Sequence, residues 1–137
     1  MVDSALLIMA GYSGTPLIKK LGIVEGMRLS VLNAPIEFWS EIGKVPEVEA
    51  IGKPVSKMDF ILYFVDNKKD LKREFKKLAK TIKKNGMIWA VWTKGKKEFR
   101  EEDVCAYGPV AGLVDVKVMS FSDTLSGLKM VIPVKER

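Results

Sequence analysis

Short apolar runs alternate along this chain with amphipathic segments, and their spacing predicts an α/β fold. Residues 59–65 (DFILYFV) and 87–92 (MIWAVW) are almost continuously apolar, as expected of central strands covered on both faces of a sheet. Between them, apolar positions 71, 75, 78, 79 and 82 form one helical stripe. The pattern predicts helices at 16–21, 36–42, 68–84 and 101–111, and strands at 28–33, 48–51, 59–65, 87–92, 114–121 and 127–134.

The order of these elements predicts the architecture. Helices and strands alternate until residue 111, which is typical of a sheet with helices on both faces. The last two strands flank a turn-forming linker at 122–126 (SDTLS), so we expect them to form a hairpin. We therefore predict a compact Rossmann-like three-layer sandwich with a C-terminal antiparallel β-hairpin, built as one domain over residues 1–137.

Positive charge is concentrated in the predicted helix at 68–84 (KKDLKREFKKLAKTIKK), which Gly86 is expected to cap at its C-terminus. The segment holds nine basic and two acidic residues, and the whole chain has a net charge of +6. One interpretation is a solvated outer face of a surface helix. The other is a binding surface for nucleic acid or another polyanion through Lys72, Lys76 and Lys80, although no aromatic residue interleaves with these lysines.

Several kinds of chemistry are excluded by what the sequence lacks. The chain has no histidine and one cysteine, Cys105, so a zinc site, a histidine-based triad and an internal disulfide are not expected. Its apolar runs are far shorter than the roughly 18 residues of a membrane span, and the N-terminus lacks a basic leader region. We therefore expect a cytoplasmic protein. Abundant Lys and Glu without glutamine indicate a hot habitat.

Eight segments spread over most of the chain form a recognisable pattern: GYSGTPL at 11–17, KKLGI at 19–23, LNAP at 32–35, DFIL at 59–62, WAVW at 89–92, GLVD at 112–115, KV at 117–118 and SGLK at 126–129. In this order they resemble the DUF3052 family, bacterial and archaeal proteins without an assigned activity that look like diminished methyltransferase domains. Leu125 and Thr93 depart from the family pattern, where a tryptophan and a proline tend to stand. The resemblance implies a reduced class I methyltransferase fold, and it transfers no activity. Compared with that class, the predicted element order lacks one strand–helix unit in its first half.

The end of the first strand departs from the usual cofactor motif. A nucleotide-binding fold places a glycine-rich turn there, so that backbone N–H groups approach phosphate or ribose closely. This chain has Asn33, Ala34 and Pro35 instead. The acidic residue that normally follows the second strand and binds ribose is also missing, since that strand leads into Gly52, Lys53 and Pro54. We therefore assign no cofactor, and S-adenosylmethionine stays open as a disfavoured candidate.

A ligand site, where one exists, is predicted at the carboxyl ends of the parallel strands. We expect it to bind a small anionic or nucleotide-like ligand. The candidates are Tyr12, Ser13, Gly14, Thr15, Asn33, Ala34, Pro35, Asp66, Trp92 and Lys94. Several of them also have a purely structural interpretation. The first four would form a tight entry into a helix, and Asn33 would make a backbone turn. One of the two tryptophans at 89 and 92 would lie in the core, and Lys94 would lie in a solvated loop.

Three functional hypotheses follow, and none assigns a catalytic residue. The first is a binding or regulatory module that has lost the cofactor motifs. The second is an atypical small-molecule transferase with a pocket rebuilt around Asn33 and Trp92, for which S-adenosylmethionine is one candidate methyl donor. The third is polyanion binding through the basic helix. Asp115 and Lys117 alternate with valines and predict one polar face on an edge strand. If that edge is unpaired, a homodimer could form by joining the sheets or by packing helices.

Overall fold

The computed structural model of the chain describes residues 17–36, 38, 46–65, 68–95 and 101–137. None of the helices in these ranges is long and apolar enough to cross a membrane. The helices are α1 (Leu17–Leu21), α2 (Lys68–Ala79) and α3 (Glu101–Val110), and a 3₁₀ turn covers Val134–Glu136. The strands are β1 (Arg28–Leu32), β2 (Glu49–Ala50), β3 (Met58–Phe64), β4 (Ile82–Thr93), β5 (Val114–Ser120) and β6 (Leu125–Val131).

The described strands form one six-stranded sheet in the order β2-β1-β3-β4-β6-β5. The first four strands are parallel, and β6 is antiparallel to both β4 and β5. This arrangement confirms the predicted α/β fold with a C-terminal hairpin. The carboxyl ends of β1, β3 and β4 lie at one edge, here called the carboxyl edge. The opposite edge, where these three strands begin, is the amino edge.

Two apolar clusters cover the two faces of the sheet and make three layers. On one face, α2 and α3 pack against alternate residues of β3 and β4, including Ile61, Tyr63 and Ala90. On the other face, α1 and Phe38 pack against the intervening residues, including Phe60. Because β3 is buried on both faces, its nearly continuous apolar run is explained by its central position.

The two tryptophans of β4 are buried on opposite faces. Trp89 belongs to the α1 face, where its indole N–H donates to the carbonyl of Leu21 at 3.0 Å. Its ring packs edge-on against Phe121, with centroids 5.6 Å apart. Trp92 belongs to the face of α2 and α3. The predicted opposition of the two rings is confirmed, and both are core residues rather than only one.

The basic helix ends five residues earlier than predicted. Helix α2 stops at Ala79, and Ile82 is already the first residue of β4. The hydroxyl of Thr81 donates to the carbonyl of Leu78, and the carbonyl of Thr81 accepts the N–H of Met58 in β3. Pairing with β3 therefore replaces the last helical turn, even though Ile82 continues the apolar stripe.

Gly86 lies within β4 and does not cap a helix. Between Ile82 and Gly86, β4 bulges, because Ile82 pairs with Met58 and the next pair joins Met87 to Phe60. An added Cβ at Gly86 would lie 2.7 Å from the carbonyl oxygen of Met58. The glycine is therefore required by the close approach of two backbones.

Strand β5 is an outermost strand of the sheet, and a bulge separates its charged residues Asp115 and Lys117. Asp115 pairs with Met130 and Lys117 with Lys129, which is the neighbouring residue of β6. Since consecutive residues of a strand point to opposite faces, Asp115 and Lys117 do not share one polar face. The sequence prediction was wrong on this point, because a bulge inserts one unpaired residue without any clear signal in the sequence.

The shorter predicted elements are confirmed where the structure describes them. Helix α1 ends at Leu21, and Gly22 follows with a φ of +88°, a conformation that favours glycine. The predicted strand at 48–51 is present as the two-residue β2. Of the predicted helix at 36–42, Ile36 and Phe38 have helical backbone, and the other positions lie outside the described residues.

Replacing Gly86 with alanine is expected to destabilise the fold by about 1–3 kcal/mol, because the added methyl group would press on a backbone carbonyl that cannot rotate away. Gly52→Ala is the control, since no atom lies within 4 Å of the methyl position there. The free energy of unfolding, measured by urea titration, should fall for Gly86→Ala and stay the same or rise slightly for Gly52→Ala. Equal stability of the two variants would contradict the close packing of β3 and β4.

Candidate functional site

The strand order reverses between β1 and β3. The chain adds β2 on one side of β1 and then returns to add β3 on the other side. In open α/β sheets, such a reversal leaves a crevice outside the carboxyl ends of the two central strands, where ligands bind. The topology therefore supports the predicted position of a site, next to Asn33 at the end of β1 and Val65 at the end of β3.

Asn33 has an unusual backbone conformation at this position. It follows the last residue of β1 directly, with a φ of 60°. This left-handed region is costly for most residues, and asparagine tolerates it best after glycine. The side chain is exposed. Asn33 thus makes the sharp turn that glycine makes in the usual motif, and it adds an amide group that glycine lacks.

The rest of this loop is held against the end of β3. The carbonyl of Pro35 accepts the N–H of Phe38 at 3.1 Å. The Phe38 ring is buried and packs edge-on against Phe64, with centroids 4.9 Å apart. Ala34 and Pro35 are half-buried. The loop is therefore fixed by packing, and of its three candidate residues only Asn33 presents an exposed side chain.

Trp92 and Lys94 lie near the same edge, but their side chains have structural contacts. Trp92 is only 6% exposed and packs in the core beneath α2 and α3. The ammonium of Lys94 donates to the hydroxyl of Ser120 at 2.6 Å and to the carbonyl of Ser122 at 2.7 Å. These two hydrogen bonds connect the end of β4 to the β5–β6 hairpin. Ligand binding by these two residues stays a prediction.

The strand register separates Asn33 from Trp92. Leu32 pairs with Tyr63, and Tyr63 pairs with Ala90. Asn33 and Trp92 therefore follow strands that flank β3, two strand spacings or roughly 10 Å apart. The candidate residues Tyr12, Ser13, Gly14, Thr15 and Asp66 lie outside the described residues.

Ser30 is a buried polar side chain that sequence reasoning missed. It lies in the middle of β1 and is 1% exposed. Among the described residues its hydroxyl has no hydrogen-bond partner. A serine between the leucine and valine of the predicted strand sequence RLSVL was the available signal. An unpartnered buried hydroxyl lowers the free energy of unfolding by about 1–3 kcal/mol. Nothing in the described structure explains why a serine stands at this position.

Cys105 does not have the surroundings of a nucleophile. Its thiol is half-buried in the cluster beneath α3. Burial raises the pKa of Cys105, and the negative charges of Asp115, Glu101 and Glu102 raise it further. The thiol is therefore protonated at neutral pH, whereas a reactive cysteine needs thiolate character.

An ionic cluster at the amino edge joins three strands. The carboxylate of Asp59 in β3 accepts the backbone N–H of Arg28 in β1 at 2.9 Å and lies 3.0 Å from the ammonium of Lys83 in β4. Burial raises the pKa of Asp59, but the two hydrogen bonds and the positive charges of Arg28 and Lys83 outweigh it and lower the pKa below its ordinary value. This carboxylate stabilises the fold and lies far from the candidate ligand edge.

Comparison with known proteins identifies the fold. No model of a known protein family matches the chain, and no curated protein matches it either. Solved structures do match. An S-adenosylmethionine-dependent methyltransferase from Aquifex aeolicus is 13% identical with a TM-score of 0.63, and the alignment covers 96% of this chain and all of that one.

Two further structures agree. A TehB-like S-adenosylmethionine-dependent methyltransferase from Corynebacterium glutamicum is 11% identical, with a TM-score of 0.57 and 94% of both chains covered. Magnesium protoporphyrin IX methyltransferase from Synechocystis, solved with bound S-adenosylmethionine, is 9% identical, with a TM-score of 0.57 and 95% of this chain and 76% of that one covered. The fold is that of a class I methyltransferase. Its predicted reduced form is confirmed.

Replacing Asp59 with asparagine is expected to lower the free energy of unfolding by about 1 kcal/mol at pH 7, through loss of the charge-assisted contact with Lys83. Because the pKa of Asp59 is lowered in the folded protein, its contribution is complete above the unfolded-state pKa of about 3.9 and is lost as the pH falls through the folded value. Urea titrations at pH 7 and at pH 2.5 should show the gap between wild type and variant closing at the lower pH.

Asp115→Asn serves as the control, because it removes the same charge from an exposed position on β5. It is expected to have little effect at either pH. If the gap between wild type and Asp59→Asn is as large at pH 2.5 as at pH 7, the carboxylate charge is not its source.

Proposed function

We propose that this chain is a methyltransferase-like binding or regulatory module that holds a small nucleotide-like or anionic ligand at its carboxyl edge, beside Asn33. The observation that carries the proposal is the left-handed backbone of Asn33 at the point where the strand order reverses. Strained backbone persists only where the surrounding structure holds it, and it is concentrated at functional sites.

The packing of the loop supports the same proposal. Phe38 and Phe64 hold the segment after Asn33 on the α1 face of the sheet, so the backbone that carries the Asn33 side chain is fixed before any ligand binds. A ligand then meets a preorganised loop, which reduces the entropy cost of binding. The S-adenosylmethionine-dependent neighbours make that cofactor and its product the first probes, although the usual glycine turn is replaced.

An atypical small-molecule transferase remains the alternative. It would share the same edge and differ only in turnover. Trp92 gives it little support, because its ring lies in the core. Methyl transfer from S-adenosylmethionine to a small acceptor would favour the transferase, whereas binding without turnover favours the module. The resemblance to the DUF3052 family is part of the same proposal and is compatible with either outcome.

Replacing Asn33 with glycine tests the ligand proposal directly. Glycine adopts a φ of 60° without strain, so the turn is kept and only the amide is lost. In calorimetric titrations with S-adenosylhomocysteine, S-adenosylmethionine, adenosine and inorganic phosphate, at least one probe should bind wild type with micromolar affinity. That affinity should fall about tenfold or more in Asn33→Gly, which corresponds to about 1.4 kcal/mol.

Lys57→Gly is a matched control. Lys57 also has a positive φ, 52°, but it lies just before β3 at the amino edge. The substitution relieves the same kind of strain and should leave ligand affinity unchanged. The proposal fails if none of the four probes produces heat, or if Asn33→Gly binds as wild type does.

A second candidate function is polyanion binding by α2 and the turn that follows it, and the exposed lysines of this segment favour it. Lys72, Lys76 and Lys80 are exposed, while Leu71 and Phe75 face the core. Within the described ranges, none of the three lysines forms an ion pair with a carboxylate. Their charges are therefore available for phosphate groups of a nucleic acid.

Neutralising the three lysines to glutamine should weaken binding of a duplex DNA oligonucleotide, measured by fluorescence anisotropy over a range of salt concentrations. The slope of log affinity against log salt should decrease by about 0.9 for each lysine that contacts a phosphate. A control variant with Lys19, Lys53 and Lys117 changed to glutamine has the same net charge. If both triple variants lose affinity equally, α2 is not a binding surface.

A further inference from the structure

A groove at the amino edge lies on the side of the sheet opposite to Asn33. It has a volume of about 820 Å³, within the range of about 300–1,000 Å³ that is common for small-molecule pockets. One wall is the end of α2, the second is the loop from α3 to β5, and the third is the segment after β6 that leads into the 3₁₀ turn. The proposed ligand site at Asn33 does not use this groove, whereas the candidate polyanion surface shares Lys76 and Lys80 with it.

The surface of the groove is mostly apolar. Val110 is 54% exposed and Val114 is 38% exposed, although both line it. Leu113 is buried at its base. The other apolar lining residues are Ala79, Pro109, Ala111, Ile132 and Pro133. A ligand with an apolar body would therefore remove valine side chains from water.

Backbone donors in the lining are already used. The N–H groups of Ala111 and Leu113 both donate to the carbonyl of Gly108, and the N–H of Gly112 donates to Pro109. The N–H of Glu136 donates to Pro133. The backbone of the described lining thus has few N–H groups left for a polar ligand body, and a ligand's polar group must be bound by side chains.

The side chains that can do so are cationic. Lys76 lies in the last turn of α2, Lys80 follows the end of this helix, and Lys135 lies on the third wall. In the described part of the chain these lysines have no carboxylate within ion-pair distance. Glu136 also lines the groove, so an excess of positive charge remains. The rim therefore attracts one anionic group.

We propose that this groove binds an anionic amphiphile, an acyl carboxylate whose chain lies on Val110 and Val114 and whose carboxylate is held by Lys80 and Lys135. The apolar surface and the cationic rim are both needed for this ligand. A polyanion such as nucleic acid would use the lysines without the valines, and an uncharged lipid would use the valines without the lysines. The proposal is independent of the ligand at Asn33.

Calorimetric titration with dodecanoate, below its micelle concentration, tests the proposal. Binding with one molecule per chain is expected. Lys80→Gln and Lys135→Gln should each weaken it about two- to fivefold, the effect of losing one exposed ion pair. Val110→Asp should weaken it at least tenfold, because it places a carboxylate on the apolar wall. Since Val110 is half-exposed, this substitution is compatible with folding, which circular dichroism checks.

Two controls separate the groove from general effects of charge. Lys72→Gln removes one positive charge from α2 outside the groove, and Val55→Asp changes a valine that is 62% exposed in the loop before β3. Both should bind dodecanoate as wild type does, and so should Asn33→Gly. Absence of heat, or equal affinity of Val110→Asp and Val55→Asp, would overturn the proposal.

A further arm distinguishes a free acyl chain from a membrane surface. Vesicles of phosphatidylcholine with one fifth phosphatidylglycerol offer the same chemistry in a bilayer. If these vesicles sediment the protein while dodecanoate gives no heat, the ligand is a lipid surface and the free-ligand proposal fails. If dodecanoate binds and dodecanol does not, the carboxylate is confirmed as the group that the lysines recognise.

Discussion

The parallel pairing of β3 with β4 is the contact on which the rest of this structure depends. Both strands are buried on both faces, so helices must cover each side of the sheet. Their pairing begins where the carbonyl of Thr81 accepts the N–H of Met58, and it requires Gly86 at a point where no side chain fits. β1 and β6 then extend the sheet from this pair in opposite directions. The positions of the carboxyl and amino edges follow from that order.

Much of this arrangement could be predicted from the sequence, because burial on both faces leaves a clear pattern. The apolar runs at 59–65 and 87–92 correspond to β3 and the buried part of β4. The end of α2 could not be predicted in the same way. Ile82 satisfies the helical spacing of the preceding apolar residues, yet its backbone belongs to β4. The reason is that the carbonyl of Thr81 accepts a hydrogen bond from Met58 of β3, a strand distant in sequence. Periodicity describes which residues are buried, and tertiary pairing decides which element buries them.

The candidate site shows a similar division. Its place at the carboxyl edge follows from strand order, which the alternation of elements already indicated. The roles of the individual side chains do not. Trp92 and Lys94 lie at the expected end of β4. The Trp92 ring is buried in the core, and the Lys94 ammonium is hydrogen-bonded to the β5–β6 hairpin. Among the described residues of this edge, Asn33 has an exposed side chain and a left-handed backbone that packing alone does not explain. The sequence pattern does not indicate its φ angle.

The carboxyl and amino edges of the sheet present different chemical groups, so one domain could hold two different ligands. At the carboxyl edge a neutral amide stands on a fixed loop, whereas the groove at the amino edge combines valines with lysines. Helix α2 lines the groove directly with its last turn. It is connected to the carboxyl edge only through the core, because its buried residues Leu71 and Phe75 belong to the same cluster as Tyr63 near the end of β3. Coupling between the edges would need two arrangements of this helix. The tight core beneath α2 argues instead for independent sites, in which occupation of the groove leaves affinity at Asn33 unchanged.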